Sequence, residues 1–287
     1  MDPAVTGVAV RVVPLAVGGC LNVAALTERG APWRVRAYPA GCALLLHPER
    51  GPVLFDTGYG PAVVRAMRRW PGVLYGLVTP VRLPPGETLP AQLARLGVDA
   101  GEVRDVIVSH LHADHVGALW ELTGATFHLD PGAYAPLRDL RGVRAVRRAF
   151  LPELLPPDFV SRMRALDFRP APPGLAPFER AADVFGDESV WALPVPGHAP
   201  GMVALIVRTR AGAALDGDGS GLTLLAADTA YSVRGLREGT EPHPLARLAF
   251  FDPRQERESR ARLGEWLRLH PRARVIVSHD GPEPDGG

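Results

Sequence analysis

Apolar and polar positions alternate in blocks along this chain, and the blocks read as strands more often than as helices. "TGVAVRVVPLAV" (6–17) and "RVRAYPAGCALLLHP" (34–48) are Val- and Leu-rich and predict two strands. "GPVLFDTGYG" (51–60) is a short apolar run ending in Asp, Thr and Gly, which predicts a strand entering a loop. "PAVVRAMRRW" (61–70) predicts a helix with proline in its first turn, and 71–88, rich in Gly and Pro, a long loop. "ETLPAQLARLG" (87–97) has helical apolar spacing and stops at glycine. "VRDVIVSH" (103–110) predicts a buried strand that delivers His110 at its end, and "ATFHLD" (125–130) another.

From 131 to 190 the chain turns Arg- and Pro-rich. Helices are expected near 141–154 and 157–166, and a proline-rich loop at 169–177, as a helical insertion within one domain spanning 1–287. Beyond it, "VWALPVPGH" (190–198), "GMVALIVRTR" (201–210) and "GLTLLAADTA" (221–230) predict strands with polar residues at their ends. "RQERESRARLGEWLRLH" (254–270) predicts an amphipathic helix and "ARVIVSHD" (273–280) a last buried strand. That order implies an α/β protein whose sheets are covered by helices.

Composition narrows the class only a little. Hydrophobic residues make up 46% and charged residues 22%, as in ordinary soluble globular proteins. The net charge of +1 gives no sign of a nucleic-acid or anionic-membrane partner. No lysine occurs, so every basic side chain is arginine, a bias that fits genome composition better than function. Cys20 and Cys42 are too few for a disulfide framework and are expected to be small buried thiols in a reducing compartment. The start "MDPAVTGVAV" carries an early acid and no basic n-region, and no apolar run approaches a membrane span. A cytoplasmic enzyme or binding protein is the expectation.

One stretch changes the picture. "SHLHADHVG" (109–117) concentrates His110, His112, Asp114 and His115 in six positions of a chain with nine histidines. A single histidine is most often a satisfied core residue, but four ligand-type side chains on one loop would be costly to bury unpaired. Imidazoles with a carboxylate suit zinc or another divalent first-row ion. Further metal-type residues follow other apolar runs: His198 in "PVPGHAPG", Asp228 in "LLAADTA" and His279 in "VIVSHD". Each alone could cap a turn. Together they repeat one pattern, a ligand at a strand's end.

With these motifs in order, the sequence resembles the metallo-β-lactamase superfamily of dinuclear hydrolases, whose His-x-His-x-Asp-His signature is met by His110, His112, Asp114 and His115. The resemblance runs from "FDTGYG" through "PGHAPG" and "AADTAY" to "VIVSHD", leaving out 131–190. It implies an αββα sandwich and two divalent metal ions, zinc first, with cobalt, iron or manganese as other occupants. It places His110, His112 and His198 on one ion, Asp114, His115 and His279 on the other, Asp228 as the bridge, and Asp56 in support. Paired ions lower the pKa of a shared water and polarise the electrophile, so a metal-bridging hydroxide is the expected nucleophile, with Asp114 carrying protons.

Tyr231, three residues after Asp228, matches the Asp-x-x-Tyr spacing of N-acyl homoserine lactonases, where that tyrosine assists ring opening. The expected function is therefore a lactonase acting on a small-molecule substrate, N-acyl homoserine lactones or similar lactones. Methyl parathion hydrolase-like phosphotriesterases, glyoxalase II-like thioesterases, mononuclear iron persulfide dioxygenases and a non-catalytic metal-binding module are the alternatives. Only eight residues follow His279, which disfavours the thioesterase reading, whose glutathione-binding helices lie there. Trp70, Tyr75, Trp120 and Phe150 are candidate pocket walls, with core packing the simpler expectation for each. The loop 71–88 and the insertion offer extra surface on which a homodimer is expected to form.

Overall fold

The structure, a computed structural model, describes residues 8–280. Two mixed sheets lie face to face. The first holds seven strands: β1 (Arg11–Val23), β2 (Val35–His47), β3 (Gly51–Phe55), β4 (Val81–Arg82), β5 (Asp105–Ile107), β6 (Thr126–Leu129) and β7 (Met163–Ala165), in the order β4-β1-β2-β3-β5-β6-β7. The second holds β8 (Arg169–Pro170), β9 (Arg180–Asp183), β10 (Val190–Pro194), β11 (Val203–Arg208), β12 (Leu222–Leu225) and β13 (Arg274–Ile276), in the order β13-β12-β11-β10-β9-β8.

Strand alternation sorts the side chains into two cores. Leu45, Val53, Phe55 and Ile107 point from the first sheet toward Val190, Ala192, Val203 and Leu205 of the second, forming the inter-sheet core. Leu44, Leu54, Val106 and Val108, one position out of step, point the other way onto Val63 and Leu93 of the helices Pro61–Ala66 and Leu89–Arg95. Leu263, Trp266 and Leu267 of the long helix Pro253–Leu269 cover the outer face of the second sheet. The layers are thus α, β, β, α, the sandwich that the family resemblance implies and that suits the strand-and-helix order.

The expectations fail in four places. The helix from 61 stops at Ala66, and the expected loop 71–88 contains a second helix, Gly72–Val78, before β4. Its glycines face close neighbours: a Cβ on Gly72 would strike the Ala66 carbonyl, and one on Gly76 the Met67 side chain. They permit packing there and do not break the helix. The helices expected near 141–154 and 157–166 shrink to Gly142–Val146 and Phe159–Arg162, and β7, β8 and β9 join the two sheets. Tyr75 and Phe150 are buried as expected, but Trp70 and Trp120 are 72% and 43% exposed and pack in neither core. Cys20 and Cys42 are free and buried, and burial pushes both thiols well up, so neither is reactive at neutral pH.

Candidate metal centre

The expected ligands converge at the ends of strands from both sheets. His110, His112, Asp114 and His115 follow β5 of the first sheet, the last three around the single turn Ala113–Val116. His198 follows β10, Asp228 follows β12 and His279 follows β13, all in the second. One ligand atom from each of His110, His112, His198 and Asp228 lies within 4.8 Å of the others, and the same holds for Asp114, His115, Asp228 and His279. Asp228 belongs to both groups. Its Oδ2 lies 3.2 Å from His198 Nε2 and 3.1 Å from His279 Nε2, and its Oδ1 lies 3.3 Å from His115 Nε2.

Hydrogen bonds on the outer edges of the rings fix which nitrogen faces inward. Asp56 accepts from the Ser109 N–H and hydroxyl, both at 2.7 Å, and from His115 Nδ1 at 2.8 Å. Because the Ser109 hydroxyl gives its proton to Asp56, its oxygen accepts from His110 Nδ1 at 2.9 Å. His279 Nδ1 donates to the Pro39 carbonyl at 2.9 Å. Three Nδ1 protons are thereby committed outward, which turns three Nε2 atoms toward the centre, where an incoming cation would take their lone pairs.

The centre is built for cations. His110 Nε2, His115 Nε2 and Asp228 Oδ1 are buried without a hydrogen-bond partner. Orphaned buried acceptors of this kind are costly unless something electropositive meets them, and an imidazole–carboxylate donor set fits divalent first-row ions. Charge in the metal-free protein follows the same logic. Burial and neighbouring imidazoles hold His110 and His112 well below the usual histidine range. Burial opposes charge on His115 and His279 too, but Asp228 and Asp114 prevail and raise both, His279 to about 9. Asp228, despite its burial, is held well below the carboxylate range by His279 and His115. Cation binding at His115 and His279 therefore displaces protons.

Two glycine-bearing loops interlock to set this geometry. Thr57 of "DTGYG" donates its N–H and hydroxyl to the His115 carbonyl, and the Gly117 N–H donates to the Gly58 carbonyl at 3.0 Å. Where they cross, a Cβ on Gly60 would overlap the Gly117 carbonyl. The His198 loop is clamped by the long helix. Ser259 donates to the Pro196 carbonyl at 2.7 Å and the Asp252 N–H to the Gly197 carbonyl at 2.9 Å. The sequence reading missed these supports, Ser109, Thr57, Ser259 and the Pro39 carbonyl. Ser109, as the residue before the histidine motif, and Thr57, inside "FDTGYG", had a signal; Ser259 and the Pro39 carbonyl had none.

Tyr231 lies beside His279 and Asp228 at the edge of the centre. Its half-buried ring stacks on His279 with centroids 5.7 Å apart and planes at 22°. Burial raises its hydroxyl, and Asp228 and Asp114 push the same way, so it stays a protonated donor. A small pocket beside Asp228 and Tyr231 is lined by Thr27, Thr240, Phe250, Glu256 and Arg260.

A two-sheet sandwich with paired histidine–aspartate clusters at its strand ends defines the class, a metallohydrolase-type αββα protein. Residues 40–210 match the metallo-beta-lactamase superfamily, and this chain belongs to it. Among curated relatives, it is 29% identical to the N-acyl homoserine lactonase AttM of Azorhizobium caulinodans over 78% of this chain and 76% of that protein. It is 24% identical to the N-acyl homoserine lactonase of Bacillus cereus over 94% and 92% of the two chains. Among solved structures it resembles, at 21% identity and a TM-score of 0.72 over 96% and 94% of the chains, an N-acyl homoserine lactone hydrolase with N-hexanoyl-L-homoserine at its catalytic metal centre.

Proposed function

We propose that this chain is a dinuclear metal-dependent hydrolase that opens lactone rings, with N-acyl homoserine lactones as its substrate class. The observation that carries the reading is the shared carboxylate: Asp228 faces both ligand groups, and orphaned imidazole nitrogens surround it. His110, His112 and His198 would hold one ion, Asp114, His115 and His279 the other, and Asp228 both, with zinc as the first candidate. Two bound divalent ions supply an activated water and polarise the lactone carbonyl. The named relatives, lactonases matched over 76% and 92% of their lengths, support the substrate class.

The chain's own residues do the rest. Asp114 Oδ2, 3.5 Å from His279 Nε2 and 3.7 Å from His115 Nε2, sits beside the reacting centre and can take the proton released on attack and pass it to the ring oxygen that leaves. The Tyr231 hydroxyl, kept protonated by its surroundings, donates to an oxygen of the opening lactone. Stacking on His279 limits where that ring can swing.

The test is steady-state hydrolysis of an acyl homoserine lactone, a thioester and a phosphotriester by zinc- or cobalt-loaded protein, with metal content measured on the same sample. A lactone kcat/KM well above the other two is expected. Tyr231→Phe should lower kcat on the lactone about 100-fold with two metals retained. A phosphotriester or thioester preference would overturn the substrate class, and unchanged lactone kinetics would remove Tyr231 from the chemistry.

A further inference from the structure

The near-neutral total charge conceals a strong local imbalance. Residues 61–86 contain Arg65, Arg68, Arg69 and Arg82 and no acid, and residues 140–152 contain Arg141, Arg144, Arg147 and Arg148 and no acid. The fold brings these segments together, because the helices Gly72–Val78 and Gly142–Val146 pack against each other. All eight arginines are exposed. Among the described residues, Arg68, Arg69, Arg144 and Arg147 make no ion pair.

The same surface carries large apolar side chains turned outward. Trp70, Leu77 and Val78 are 72%, 72% and 80% exposed, and Val73 and Val143 are exposed beside them. Val73 and Leu77 lie four apart on one stripe of their helix, while Tyr75 on the opposite side is buried. Scattered exposed hydrophobes need no explanation, but Val73, Leu77, Val78 and Val143 on two helices that pack together, with Trp70 leading into the first, mark an interaction surface.

We propose that this face seats on an anionic lipid surface. Apolar side chains rimmed by arginines match the boundary between acyl chains and headgroups, where the first enter and the second meet lipid phosphates. The attachment is peripheral: no described helix is long and apolar enough to cross a membrane. A second copy of the chain fits less well, since a twofold interface would set this patch on itself and oppose arginine to arginine. The proposal does not depend on the lactone reading.

The experiment is co-sedimentation of the metal-loaded protein with vesicles of phosphatidylglycerol and phosphatidylcholine, and with phosphatidylcholine alone, at low and high salt. Binding should require phosphatidylglycerol and fall with salt. Each arginine near an anionic surface is worth roughly fivefold in partitioning, so Arg68→Glu with Arg69→Glu should weaken binding about 25-fold or more. Leu77→Asp with Val78→Asp should abolish it, and both variants should keep the parental melting temperature because the changed side chains are exposed. Equal pelleting with and without phosphatidylglycerol overturns the proposal, as does binding that survives both double variants. A dimer in solution that Leu77→Asp with Val78→Asp splits into monomers also overturns it, by assigning the face to a second copy.

Discussion

Asp56 sits in left-handed backbone (φ 60°), a conformation that aspartate tolerates better than most residues, and from there it reaches Ser109 and His115 together. Its carboxylate touches no other expected ligand, yet it sets which nitrogen of two histidines faces the centre. Asp56→Ala should lower metal affinity about 10- to 100-fold while leaving every ligand in place. Titration of the apo-protein with zinc checks this, and unchanged affinity would reduce Asp56 to a turn former. Ala227, immediately before Asp228, is also left-handed (φ 47°), with no side chain to compensate. Strain of about 1–3 kcal/mol is stored where Asp228, the residue common to both clusters, must be aimed.

At the scale of elements, the strands with β-branched and leucine runs were legible, and the others were not. β7 "MRA", β8 "RP" and β9 "RAAD" have neither alternation nor branched side chains, and they are strands because neighbouring strands offer them hydrogen-bonding edges. The helix Gly72–Val78 was illegible for the opposite reason, since its glycines read as breakers and act as spacers. The seven residues that the two clusters bring together were legible because metal chemistry restricts residue types. The hydroxyls and carbonyls that orient them were not, because nothing restricts which serine or carbonyl does that work. One further spacer joins the sheets. Gly41 of β2 donates its N–H to the Ser278 carbonyl at 2.8 Å, and any Cβ there would overlap that carbonyl. Gly41→Val should destabilise the fold by about 1–3 kcal/mol and displace His279, seen as a lower melting temperature together with weakened metal binding.

At the scale of the whole molecule, each expected ion draws ligands from both sheets: His110 and His112 with His198 on one, Asp114 and His115 with His279 on the other. Metal binding is therefore coupled to holding the sandwich closed. At a free ion concentration about a thousandfold above Kd, it should add roughly 4 kcal/mol to stability. Chelation should lower the melting temperature reversibly, and an unchanged melting curve would mean that the ligands are held without the ions. The Gly41–Ser278 contact then acquires a further meaning. It lies on the seam between the two sheets, which the Val203 N–H crosses too, donating to the Ser109 carbonyl at 3.0 Å, and the reactive centre straddles that seam at its open end. On heating, local opening of the seam at the centre should precede loss of the shared core, and activity should disappear several degrees below the loss of far-ultraviolet dichroism. The centre would then act as a strain gauge on the joint, reporting its first opening while the spectrum still looks folded.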